Sequence, residues 1–161
     1  MEEKEKATII LFSGEMDKAL AAFTLANTAA AMGMEVTIFF TFWGLNVIKR
    51  RGAARGGRGW MRRLLNWMNR GHAGALPLSR FHFAGLGPWM MKRLMRAERM
   101  PSLPEMIAQA KALGVRLVAC TTTIGLMGLK EADFIPEVDL FAGAATYLGE
   151  ARRARVNLFI S

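Results

Sequence analysis

The sequence predicts a three-layer α/β/α sandwich around a mainly parallel sheet of about five strands. A strand, a helix and a second strand follow one another before residue 42, an order that pairs the strands in parallel through a right-handed crossover. The same grammar returns from Pro104 to the C-terminus. With 161 residues, 52% hydrophobic and 22% charged, the chain has the composition of an ordinary globule and is read as one domain, residues 1–161.

Taken in order, Ala7 to Phe12 is a short β-rich apolar run that stops at Ser13 and Gly14, the pattern of a buried strand. Asp17 is placed to cap a helix that runs to about Met32, with Leu20, Phe23, Ala26 and Ala30 on its inner face. Gly33 ends that helix as a residue of positive φ would. Glu35 to Thr41 follows as a strand buried on both faces. Further on, Pro104 opens a helix that closes at Leu113 and Gly114. Val115 to Ala119 is then a strand running straight into Cys120. Thr121 to Met127 reads as a helical turn, Val138 to Phe141 as a short strand, Gly143 to Arg153 as a helix and Val156 to Ile160 as the last strand.

Between these halves lies a segment of different chemistry. The net charge is +9, but residues 49–100 hold 13 of the 22 basic residues and one acid, Glu98, a local charge of +12. The remainder carries 9 basic and 12 acidic residues. The protein thus reads as a mildly acidic domain with a basic amphipathic insert at about 49–100. Within it, Gly52 to Gly59 is glycine-rich and basic. Trp60, Leu64, Trp67 and Met68 fall at helical spacing in Trp60 to Arg70. Trp89, Met90, Leu94 and Met95 do so in Pro88 to Met100, against Lys92, Arg93, Arg96 and Arg99. Two amphipathic helices joined by a mobile segment are expected.

Several classes fall away. A lone cysteine excludes an internal disulfide and a multi-cysteine metal site, and no metal or other cofactor is expected. The charged start, Met1 to Lys6, is not a secretory signal, and cytoplasmic chemistry fits a single reduced thiol. The longest apolar candidate for a membrane span, Ala19 to Ile48, is interrupted by Glu35. Ser13 to Asp17 is not a phosphate-binding loop of the Walker type, and no GxGxxG follows the first strand. His72 and His82 both sit in the basic segment without an acid at triad-like spacing.

Ligands of open parallel sheets gather at the carboxyl ends of the strands. Here those ends are Ser13-Gly14, Thr41-Phe42-Trp43 and Cys120 with Thr121, Thr122 and Thr123. A thiol between a strand end and a helix start meets backbone N–H groups that favour its reactive thiolate, and threonine hydroxyls could bond a negative sulfur. The alternative is a buried cysteine packed as a small hydrophobe. Ser13, Glu15 and Asp17 fit a loop and a helix cap, although Glu15 also stands where it could contact a ligand or carry a proton. For the basic segment, apolar stripes that cover the sheet or an oligomer contact rank first. An anionic membrane surface or an acidic protein ranks second, and RNA last.

The residues also resemble a family. Thr8-Ile-Ile-Leu-Phe-Ser-Gly14 with Asp17-Lys-Ala-Leu20, Gly33-Met-Glu-Val-Thr-Ile-Phe-Phe-Thr-Phe-Trp-Gly-Leu45, and Gly114-Val-Arg-Leu-Val-Ala-Cys120 with Met127-Gly-Leu129 are similar, in that order, to the DsrE/DsrF-like sulfurtransferases. The branch with an insert before the cysteine strand matches best, and Gly143-Ala-Ala-Thr-Tyr-Leu148 fits it as well. The resemblance implies trimers or hexamers and a sulfur-bearing cysteine, here Cys120, in relay with rhodanese- and TusA-like proteins. It also puts Ser13, Gly14, Phe42, Trp43 and Gly44 on pocket-lining loops. Some relatives carry further cysteines that this chain lacks, so any second thiol must come from another molecule. The expectation is a cytoplasmic sulfur carrier or sulfurtransferase with an accessible thiolate at position 120, with residues 59–100 as its contact to the inner membrane face or an acidic partner. The alternative is a non-catalytic oligomeric adaptor that uses the basic segment alone.

Overall fold

A computed structural model describes residues 4–53, 59–61, 63, 64, 69 and 71–161 of the chain. Five strands form one sheet: β1 (Lys6–Leu11), β2 (Glu35–Phe40), β3 (Arg116–Cys120), β4 (Leu140–Ala142) and β5 (Val156–Ile160). Their order is β4-β3-β2-β1-β5, and every pairing is parallel. The named helices are α1 (Met16–Ala31), α2 (Leu86–Ala97), α3 (Leu103–Ala112), α4 (Thr121–Met127) and α5 (Ala144–Ala151).

Side-chain alternation along each strand divides the core. On one face Ile9, Leu11, Ile38, Phe40, Leu117 and Ala119 meet the inner stripe of α1 (Ala19, Ala22, Phe23, Ala26) and Met106, Ile107 and Ala110 of α3. On the other, Phe39, Val118, Cys120, Ala142 and Tyr147 form a smaller cluster beneath α5. The three layers and the parallel sheet are those predicted. Because β2 is buried on both faces, its run Val36–Phe40 is continuously apolar but for Thr37, which donates to Glu150 Oε2 at 2.9 Å. Phe23 lies fully buried, and truncating such a ring to alanine costs about 3–5 kcal/mol.

Element bounds differ in instructive places. α1 begins at Met16 with Glu15 as its N-cap, so Asp17 does not cap the helix. Its carboxylate instead accepts the backbone N–H and hydroxyl of Ser79, at 3.0 and 2.5 Å. Gly33 does end the helix, at φ 90°. Pro104 is the second helical residue of α3; the start is set by Ser102 and Glu105, whose side chains bond each other's backbone. β4 is shorter and begins later than the run Val138 to Phe141 suggested.

The basic segment departs further. Residues 60, 61, 63 and 64 are helical, whereas Trp67 and Met68 of that expected helix and most of the glycine-rich stretch before it lie outside the described residues. The second helix, α2, starts two residues before Pro88. The segment between them, expected to be mobile, is anchored: Leu76 is buried, and Met16 N–H donates to Pro77 O at 2.7 Å. The apolar stripe of α2 does not cover the sheet. Pro88 and Met95 are buried, while Trp89, Met90 and Leu94 stand in solvent.

Candidate functional site

All five strands end at one edge, and β2 and β3 are neighbours there, with Phe40 paired to Ala119. Thr41 therefore emerges beside Cys120, the last residue of β3 and the N-cap of α4. The first N–H groups of a helix have no intrahelical acceptor. At α4, those of Thr122 and Thr123 point at the sulfur. The hydroxyls of Thr123 and Thr41 reach it as well. These two hydroxyls lie 3.0 Å apart, and the N–H of Phe42 donates to Thr123 Oγ1 at 3.3 Å, fixing that oxygen from behind. Burial raises the thiol pKa; the four hydrogen bonds outweigh it and hold the thiol below its ordinary value of 9.0.

The thiol is not openly accessible. Cys120 is 5% exposed, packed on one side against the cluster of Phe39 and Tyr147. Its other side is polar, so it is neither a free surface cysteine nor one sealed in hydrocarbon. On that side the hydroxyls of Thr123 and Thr41 cover the sulfur.

The remaining predicted residues form the adjoining rim. Gly44 N–H donates to Phe12 O and Thr41 O at 2.8 and 2.9 Å, drawing the 3₁₀ turn Phe42–Val47 onto the end of β1. A Cβ at Gly44 would stand 2.0 Å from Leu11 O, and one at Gly14 2.6 Å from Trp43 O, so both positions exclude a side chain. Phe42 has φ 47°, a left-handed conformation, and its ring lies 4.9 Å from that of Phe12. Trp43 is half exposed. Ser13 is buried, and its hydroxyl donates to Glu15 Oε2 at 2.9 Å while Glu15 also pairs with Lys18 at 2.7 Å. Ser13 and Glu15 thus bond each other and Lys18, and no hydrogen bond joins either to the sulfur. Thr122 contributes its backbone only; Thr121 is exposed beside Gly143.

In the sequence Thr41 stands out only as a strand end, not as a residue of the site. The signal that finds it is register: a hydroxyl residue directly after a strand that neighbours the cysteine strand. His72 and His82 do not bond Cys120; His72 Nδ1 accepts the N–H of Gly74 at 3.1 Å, and burial with the charges of Arg51, Lys92 and Lys49 keeps that imidazole more acidic than usual. Lys49 is a buried cation that sequence reasoning passed over. Its pKa falls to about 8 through burial, against the pull of Asp133, and it donates to Asn69 O at 2.8 Å. Among the described residues, no group of three or more His, Cys, Asp or Glu is placed to hold a metal ion.

The DsrE/DsrF/DrsH-like family matches residues 3–159. The chain is 43% identical over 159 residues to the uncharacterized protein YrkE of Bacillus subtilis (strain 168), covering 99% of both. It is 31% identical over 164 residues to the sulfur carrier protein DsrE2 of Allochromatium vinosum, covering 98% of this chain and 99% of that one. Among solved structures, MTH1491 from Methanobacterium thermoautotrophicum, a protein of unknown function, superposes with a TM-score of 0.54 over 92% of each chain. At 10% identity that likeness concerns the fold alone.

Proposed function

The chain belongs to the DsrE/DsrF/DrsH-like family, and from that premise we propose that it is a sulfur carrier or sulfurtransferase that holds sulfane sulfur as a persulfide on Cys120. One observation supports this above others. The only thiol ends β3 among two backbone N–H groups and two threonine hydroxyls, a setting that favours the nucleophilic thiolate. In the loading step, the Cys120 thiolate attacks the outer sulfur of a donor persulfide, R–S–SH. A new S–S bond forms at Cys120, the donor S–S bond breaks, and the donor leaves as R–S⁻, so no external oxidant is consumed. Unloading is the same exchange with an acceptor thiolate. Because the chain has one cysteine, that acceptor is another molecule, of the rhodanese- or TusA-like kind that such relays employ. We read the whole chain as one domain with the basic segment as an insert, working in the cytoplasm as a symmetric homo-oligomer. Ser13, Gly14, Glu15, Phe42, Trp43, Gly44 and Thr121–Thr123 form the rim that a partner must approach.

Intact mass after incubation with a persulfide donor tests the reading: about +32 Da is expected for one transferred sulfur, absent in Cys120→Ser. A wild-type chain left unmodified by several donors would overturn it. A second reading, an adaptor without sulfur chemistry, draws on the apolar side chains that the basic segment leaves in solvent. In that case Cys120→Ser leaves every activity of the protein intact.

A further inference from the structure

The basic segment carries a built surface that the sulfur chemistry does not use. A groove of about 440 Å³ runs between α2 and the loop before it, lined by Phe81, Phe83, Leu86, Met90, Met91 and Leu94. Phe81 and Phe83 are 73% and 69% exposed, with their rings stacked 6.1 Å apart. Three non-glycine residues in a row of four, Phe81, Phe83 and Ala84, have φ between 37° and 58°, a region side-chain-bearing residues seldom occupy. The loop is held in that shape by tight contact, since a Cβ at Gly87 would stand 1.8 Å from Phe81 O. The strained backbone points its two largest apolar side chains into solvent instead of into the core.

Around this apolar tip the charge is of one sign. Between residues 80 and 99 stand Arg80, Lys92, Arg93, Arg96 and Arg99 against Glu98. The Arg93 guanidinium lies 5.8 Å above the exposed Trp89 ring. The groove's one acid, Asp17, is already bonded by the Ser79 N–H and hydroxyl, and the other charged residue of its wall is a cation, Arg80. Exposed Phe, Trp, Met and Leu beside Arg and Lys are the chemistry of an amphipathic surface that settles among anionic headgroups. Nor is this a spanning segment: among the described residues no helix is long and apolar enough to cross a bilayer.

We propose that the Phe81–Phe83 tip and the exposed face of α2 dock this protein onto an anionic lipid bilayer. The tip enters the headgroup boundary while the arginines pair with lipid phosphates. The groove is tied through Ser79 to Asp17, in the first turn of α1, at the same sheet edge as Cys120. Docking therefore brings the thiol edge close to the lipid. The proposal is independent of the sulfur reading and survives its failure.

Flotation of the full chain with phosphatidylglycerol–phosphatidylcholine vesicles, and with pure phosphatidylcholine vesicles, tests it. Binding is expected to the anionic vesicles only, weakening as salt rises. Phe81→Ser with Phe83→Ser is expected to cut partitioning about tenfold or more, as loss of two inserted rings should. Leu94→Ser, an exposed substitution with little bearing on folding, should weaken it as well. Cys120→Ser should float like the wild type. The proposal is overturned if the wild type stays in the lipid-free fraction, if both apolar variants float undiminished, or if Phe81→Ser with Phe83→Ser lowers the mass that light scattering gives, as loss of a contact between two copies would.

Discussion

At the level of single residues, the sulfur's chemistry depends on Thr41 and Thr123. Each hydroxyl can stabilise a negative sulfur and gives nothing comparable to a neutral one, so each lowers the thiol pKa. The alkylation rate of Cys120 should rise with pH through a midpoint below 9.0, reaching a modest plateau because the residue is covered. Thr41→Val should move that midpoint upward, while Thr41→Ser, which restores the hydroxyl, should return it. A Thr41→Val midpoint equal to the wild type's would mean that the two amides of α4 and the Thr123 hydroxyl suffice. Cys120 was legible in the sequence because its signal is local: one thiol after an apolar run and before three threonines. Thr41 was not, because its role depends on β2 lying next to β3, a pairing between residues some eighty positions apart. The same distance hid the cover over the thiol.

Among the elements, the turn Phe42–Val47 positions the rim by coming unusually close to β1. Gly44→Ala would drive a methyl carbon into Leu11 O, backbone that has no side-chain rotation to relieve it. A loss of about 3 kcal/mol is expected, read by denaturant unfolding. Gly149→Ala makes the control: it lies inside α5 with nothing within 4 Å of the new carbon, and helix propensity should stabilise it by roughly 0.5–1 kcal/mol. Equal effects at the two sites would refute the close-approach account. Periodicity gave β1, β2, β5 and α4 to within a residue or two, since those runs are short and bounded by glycine or by sharp changes of polarity. It erred on α2. An apolar stripe at helical spacing looks the same whether it faces a sheet or solvent, and only the folded neighbours decide which.

For the molecule as a whole, the sheet leaves part of one face open beside β5. Phe159 is 62% exposed at that edge, its ring 6.1 Å from that of Phe12, and Leu148 of α5 is exposed too. Apolar side chains in that position, beside an edge strand that pairs on one side only among the described residues, favour association with further copies. Light scattering is expected to give a multiple of 17.8 kDa, and Phe159→Glu to reduce it. A wild type that scatters as a single 17.8 kDa chain would rule the assembly out.

The uniform direction of the strands also decides how the protein can be handled. Lys6 begins β1 at the pole away from Cys120, whereas Ile160 closes β5 at the thiol's own pole. Tethering through the amino-terminal residues therefore turns the reactive end toward solution. A reporter fused after Ser161 would instead stand at the same pole as Cys120.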